Sequence, residues 1–105
     1  MWYVILCQDQ LNSLQKRLKN RKAHRERLAS LKNEGRLLVA GPFPNFDTSE
    51  LGGYSGSMIV AEFNSLEDAK KWADNGPYLL SGVYKNFIGK NFLYSCWLIT
   101  NIIIG

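Results

Sequence analysis

The chain has few of the residues that build disulfide-rich or metal-binding proteins. Its 105 residues include two cysteines, Cys7 and Cys96, and a single histidine. Two distant cysteines form neither a disulfide framework nor the close ligand spacing of a metal site, so we expect no bound metal and no cofactor. Cys7 lies in an apolar run, which favours a small buried side chain over a reactive thiol.

Long hydrophobic segments are also scarce. The apolar segment 2–7 is too short for the core of a secretory signal, so we expect a cytoplasmic protein with reduced thiols. Residues 93–105 (LYSCWLITNIIIG) contain an apolar run of about half the ~20 residues that span a bilayer. Because positive charges do not flank a long enough span, this segment is interpreted as a divergent tail and not as a membrane segment.

Positive charge is concentrated in one short segment. The formal net charge is +4, and seven basic residues lie within residues 16–27: Lys16, Arg17, Lys19, Arg21, Lys22, Arg25 and Arg27. This segment lacks the interleaved aromatic residues and glycine-rich signatures of RNA-binding proteins, which argues against nucleic acid as a partner. An anionic metabolite or a solvated surface remains as an explanation for the charge.

Residues 14–31 are predicted to form a helix that carries cations on its inward face. At 100° per residue, one stripe of this helix contains Leu11, Leu14, Leu28 and Leu31. Arg17, Arg21 and His24 fall in the same stripe, where a cation is costly unless an anion or a carboxylate meets it. This face is therefore the best candidate for a functional site.

Each of these three residues has a structural alternative. His24, with an ordinary pKa near ~6.5, can act as an acid or a base near neutral pH, or a neighbouring carbonyl can satisfy it. Arg17 and Arg21 suit bidentate binding of a carboxylate or phenolate. They can equally form structural ion pairs with Asp9, with Glu34 or with an acid of a partner chain.

The order of apolar and turn segments predicts a βαββαβ chain. Strands are predicted at residues 2–8, 36–40, 57–63 and 82–88, helices at 14–31 and 65–75, and a loop at 42–55. This order is that of an α+β, ferredoxin-like sandwich with both helices on one face of an antiparallel sheet. The opposite face would be bare in a monomer, so we expect a homodimer.

Several segments carry a resemblance to a known family: Tyr3-Val4-Ile5 with Gln8-Asp9, and residues 14–28 (LQKRLKNRKAHRERL), 34–42 (EGRLLVAGP), 54–63 (YSGSMIVAEF) and 72–84 (WADNGPYLLSGVY). In this order they resemble the YciI family of YCII-related domain proteins. The resemblance defines a domain at 1–92 and leaves the tail at 93–105 without a counterpart. It implies a dimeric α+β barrel and a cleft for a small molecule. Some members are dehydrochlorinases that act on aromatic rings, although the physiological substrate is generally unknown.

The chemistry that the resemblance implies needs a histidine paired with an aspartate. His24 matches the histidine, in the context Arg21-Lys22-Ala23-His24, but the family's Asp-Pro-Tyr is Gly76-Pro77-Tyr78 here. Asp9 or Asp74 could supply the missing carboxylate, and Asp9, at a strand end, is the favoured substitute. The expected site consists of His24 and Asp9 as catalytic residues, with Arg17, Arg21, Ser57 and Tyr78 as substrate-binding residues.

Two functions follow from this set of residues. In the first, His24 moves a proton in lyase-like or isomerase-like chemistry, weakened by the missing aspartate. In the second, the same groups only bind a ligand. Ser57 can hydrogen-bond that ligand from the start of a strand or satisfy a bent strand end, and no base adjoins it to make it a nucleophile.

Overall fold

Four antiparallel strands and three helices form the structure, a computed structural model that describes residues 1–46 and 49–94. The strands are β1 (Trp2–Asp9), β2 (Leu37–Phe46), β3 (Ser49–Glu62) and β4 (Tyr84–Phe92). The helices are α1 (Leu14–Asn33), α2 (Leu66–Asp74) and α3 (Pro77–Leu80). The strand order β2-β3-β1-β4 confirms the predicted α+β, ferredoxin-like fold.

Individual residues mark the end of α1 and the start of α2. Gly35, directly after α1, has φ +73°, the left-handed conformation that glycine adopts at helix ends. Ser65 precedes α2, and its hydroxyl accepts a hydrogen bond from the Asp68 N–H at 3.1 Å.

Leu11 was predicted to lie in the buried stripe of α1, and this prediction is wrong. It precedes the first turn of α1 and is 93 % exposed.

The predicted loop at residues 42–55 is also wrong. β2 continues to Phe46 and pairs with β3 through Phe43 opposite Gly56 and Pro44 opposite Tyr54. Proline is compatible with this pairing because β2 is an edge strand and the ladder has register shifts at Pro44. The short helix α3 was not predicted, because the sequence pattern placed no helix after residue 75. Pro77 occupies the first position of α3, where proline is favoured.

The core lies between the sheet and the helices. Alternate β1 side chains point inward, and the buried set includes Tyr3, Ile5 and Cys7 of β1, Ile59 and Ala61 of β3, Leu31 of α1, Ala69 and Ala73 of α2, and Tyr78 of α3. Asp9 and Ser57 continue the inward-facing rows of β1 and β3. The fold therefore delivers these two polar groups to the layer beneath α1.

The opposite sheet face is apolar and partly exposed. Val4 and Leu6 of β1 point to this outer face, opposite Val60 and Met58 of β3, and Ile88 of β4 lies beside Leu6. Ile88 is 52 % exposed. Within the described ranges, no helix has the length and apolarity to cross a membrane. The tail beyond Tyr94, including Cys96, lies outside the described residues.

Candidate functional site

A pocket of about 270 Å³ lies between α1 and the β2–β3 pair. Its lining consists of Arg17, Arg21, His24, Arg25 and Leu28 of α1, Ala40, Gly41 and Pro42 of β2, Tyr54, Ser57 and Ile59 of β3, and Tyr78 of α3. The structure thus brings five of the six predicted site residues to one cavity. The sixth, Asp9, is buried behind Arg17.

Arg17 is held at the base of the pocket by four acceptor atoms, which belong to three residues. Its Nε and Nη2 donate to the two carboxylate oxygens of Asp9, at 3.1 and 2.9 Å. Nη2 also donates to the Ser57 hydroxyl at 3.0 Å and to the Gly56 carbonyl at 3.4 Å. Burial alone would lower the pKa of Arg17, but the Asp9 carboxylate outweighs it, so the guanidinium remains charged.

Three tyrosine rings surround this guanidinium. The Cζ atom of Arg17 lies 4.8 Å from the ring centroids of Tyr54 and Tyr78, and 5.8 Å from that of Tyr84. These distances are typical of cation–π contacts. Burial raises the pKa of Tyr84, so its phenol stays neutral. Asp9 is therefore the group that balances the positive charge of Arg17. Hydrogen bonds and three tyrosine rings therefore hold the Arg17 side chain in place.

His24 lies against Tyr78 and has no acidic partner. The two rings are stacked, with centroids 4.0 Å apart and planes 13° from parallel. Among the described residues no carboxylate lies within ion-pairing distance of His24, so the expected contact with Asp9 is not formed. Asp9 is engaged by Arg17, and Asp74 is exposed at the end of α2. Arg17 thus forms the ion pair with Asp9 that was its structural alternative. Ser57 lies within β3 and not at the start of a strand, and its hydroxyl accepts a hydrogen bond from Arg17.

The imidazole of His24 is neutral at physiological pH. Burial, with the positive charges of Arg17, Arg27 and Arg25, lowers its pKa to about 4. A neutral ring has one nitrogen able to accept a proton and one able to donate a hydrogen bond. A neutral His24 ring is therefore available as a proton acceptor in the pocket.

Gly76 lies beside Arg27, in a cavity that His24 also lines. These three residues line a cavity of about 20 Å³ next to the larger pocket. A Cβ atom at Gly76 would lie 3.0 Å from Arg27 Nη1. Arg27 instead donates from Nη2 to the Trp72 carbonyl at 2.8 Å, with its Cζ 4.2 Å from the Trp72 ring centroid. The position of the missing acid is thus bordered by a guanidinium.

Two residues with polar side chains that line the pocket, Arg25 and Tyr54, were not predicted as site residues. Arg25 follows Arg21 by four residues, a spacing that places both on one helix face, so helical periodicity could have found it. Tyr54 was hidden because it lay in the predicted loop. No local signal marked it as the continuation of β3.

The fold and the pocket define a small α+β protein with a basic cleft on the helical side of its sheet. The YCII-related domain matches residues 1–92, so the chain belongs to this family. The proteins named YciI of Escherichia coli O6:H1 (strain CFT073) and Shigella flexneri are each 51 % identical to it over 94 residues, covering 88 % of this chain and 96 % of the relative. An uncharacterized protein of Haemophilus influenzae is 46 % identical over the same length, with the same coverage.

A solved structure has the same fold. It is 5-chloro-2-hydroxyhydroquinone dehydrochlorinase (TftG) from Burkholderia phenoliruptrix AC1100, in complex with 2,5-dihydroxybenzoquinone. The TM-score is 0.79 and the sequence identity 26 %, over 90 % of this chain and 96 % of the other. That protein acts on a hydroxylated ring compound.

Proposed function

We propose that this protein binds a small hydroxylated ring compound in the α1 pocket and that His24 removes a proton from it in a slow elimination or isomerisation. The observation that carries the proposal is a half-buried histidine, stacked on Tyr78, that lines the same pocket as three arginines. The dehydrochlorinase with the same fold supports the reaction class.

The size of the pocket agrees with a single ring. Ligand sites for drug-sized molecules have volumes of roughly 300–1,000 Å³, and this one, at about 270 Å³, lies just below that range. Two tyrosines and three arginines are among the residues that line it. A planar ring with oxygen substituents therefore suits both its volume and its chemistry.

In the proposed step, the neutral His24 nitrogen takes a proton from the ring compound as its leaving group departs with the bonding electron pair. The arginines stabilise negative charge that develops on the ring oxygens. Because no described carboxylate orients the imidazole, its tautomer and position are weakly specified, and turnover is expected to be low.

The lack of a described carboxylate beside His24 also favours a second candidate function, which is binding without turnover. One experiment separates the two. The protein is incubated with 5-chloro-2-hydroxyhydroquinone, and chloride release is measured together with the affinity for 2,5-dihydroxybenzoquinone. Release that His24→Gln abolishes, while Lys22→Gln leaves it unchanged, supports the enzyme; Lys22 is exposed on the same helix. Binding without release supports the second candidate, and failure to bind either compound contradicts both.

We also propose that a second copy of the chain covers the outer sheet face to form a homodimer. Val39, Ile88 and Phe92 leave 46 %, 52 % and 39 % of their surfaces exposed. Covering such a face with an identical one removes apolar surface from both copies. The pocket lies on the helical side, so the proposed dimer leaves it open to ligand.

A further inference from the structure

The charge in the α1 pocket is unbalanced. Three of its lining residues are arginines, and none of the lining residues in the described ranges is acidic. Asp9 offsets the charge of Arg17 from behind. Arg21 and Arg25 form no ion pair within residues 1–46 and 49–94. The pocket therefore keeps an excess of two positive charges, which attracts an anion.

Arg21 and Arg25 lie one helical turn apart. Like charges at this spacing repel each other, and an anion bound between them offsets that repulsion. Arg21 is half-buried and Arg25 is exposed, so the pair lies where the pocket meets solvent. His24 belongs to the same turn and lines the same cavity.

The two kinds of arginine are suited to different tasks. Arg17 is 3 % exposed and tied to Asp9, Ser57 and the Gly56 carbonyl, so it cannot adjust to a ligand. Arg21 and Arg25 are not held in this way and can close on a carboxylate with paired N–H donors.

We propose that Arg21 and Arg25 form a carboxylate-binding rim, and that the ligand is a hydroxylated ring that carries a carboxylate group. This inference rests on the proposed function, because it assigns the ligand class of the same pocket. The ring occupies the inner part of the cavity near His24 and Tyr78, and its carboxylate meets the two rim arginines. A neutral ring compound lacks that second contact and binds more weakly.

The test compares two ligands that differ by one group. Calorimetric affinities are measured for 2,5-dihydroxybenzoate and for hydroquinone, with the unmodified protein and with Arg21→Gln, Arg25→Gln and Lys22→Gln. The last variant removes one positive charge from the same helix but from an exposed position outside the pocket. The expected result is that the benzoate binds about tenfold or more tightly than hydroquinone, as a charged hydrogen bond allows. Each rim variant should weaken the benzoate by about tenfold and leave hydroquinone unchanged, while Lys22→Gln changes neither affinity.

Two results would overturn the rim. One is equal binding of the two ligands. The other is an equal loss of benzoate affinity in Arg21→Gln and Lys22→Gln, which would reduce the effect to general charge. If chloride release from 5-chloro-2-hydroxyhydroquinone still depends on His24 in either case, the proposed function stands and only the rim falls. If neither ligand binds and no chloride is released, the rim and the proposed function fall together.

Discussion

Asp9 and Arg17 form a buried bidentate ion pair, with 2.9 and 3.1 Å between the carboxylate oxygens and the guanidinium nitrogens. Their side chains are 2 % and 4 % exposed. Asp9 therefore pairs with Arg17 and forms no ion pair with His24 in the described residues. The pair also distinguishes Arg17, at the base of the pocket, from Arg21 and Arg25, which form no such ion pair in the described residues.

Breaking this pair should be costly. Asp9→Asn leaves the Arg17 charge buried without its carboxylate, which we expect to lower the free energy of unfolding by about 3–5 kcal/mol. Urea denaturation provides the measurement. Glu34→Gln is the matched control, because it removes the exposed Arg36–Glu34 pair, and such pairs contribute about 0–1 kcal/mol. Equal losses in the two variants would show that the buried pair has no special weight.

Stability should fall in mild acid because of His24. Its folded pKa of about 4 lies below the ordinary value of 6.5, so the unfolded chain takes up the proton first. The contribution of the neutral ring is complete above the unfolded pKa and is lost as the pH falls toward the folded one. From about pH 7 to about pH 5, we expect His24 to lower the free energy of unfolding by about 2 kcal/mol.

His24→Gln isolates that effect. Urea denaturation of both proteins at the two pH values gives the difference in their pH dependence, in which contributions from other groups cancel. The glutamine variant should lose about 2 kcal/mol less than the parent on acidification. Parallel losses in the two proteins would mean that His24 is not buried in its neutral form.

Helical periodicity accounts for most of what the sequence could predict about the site. Once Leu28 and Leu31 set the inward direction of α1, the positions of Arg17, Arg21 and His24 followed from 100° per residue. Whether a carboxylate lies beside His24 could not be predicted in this way. The distance between its ring and Asp9 depends on how β1 packs beneath the helix.

The extension of β2 and β3 into residues 42–55 was missed for a different reason. Pro42 and Pro44 are typical of loops, and only the edge position of β2 makes them compatible with strand pairing. Strand order is a property of the whole sheet. The wrong loop prediction in turn hid Tyr54, whose ring contacts Arg17 only because β3 extends that far.

The outer sheet face should determine the oligomeric state. Ile88→Lys places a charge on this face and should convert the proposed dimer to monomers, as measured by light scattering after gel filtration. Leu80→Lys is the control, because Leu80 is 72 % exposed on α3, away from this face, and the variant should remain dimeric. An unmodified protein that is monomeric at micromolar concentration would contradict the dimer.

Restoring an acid at residue 76 should raise the activity of the proposed enzyme. Gly76 has φ −75° and ψ 142°, a backbone conformation that any residue adopts. The new side chain would start 3.0 Å from Arg27 Nη1 and 3.2 Å from the Ala73 carbonyl, so these neighbours must move by a few tenths of an ångström. Because the position shares a cavity with His24, an aspartate there can fix the tautomer of the imidazole. We expect Gly76→Asp to increase chloride release from 5-chloro-2-hydroxyhydroquinone by about 10- to 100-fold, the range found for groups that orient a functional histidine.

The control for this change is Gly76→Asn, which has nearly the same shape and carries no charge. It should cap α3 as well as the aspartate does, so the two variants should gain similar stability but differ in activity. Adding His24→Ala to Gly76→Asp should remove the gain, because the carboxylate acts only through the imidazole. If the asparagine variant is as active as the aspartate variant, the gain comes from a more rigid corner at Pro77. If the parent is already robustly active and Gly76→Asp adds nothing, the carboxylate is not needed in this protein, and the pocket positions His24 through its stacking on Tyr78 alone.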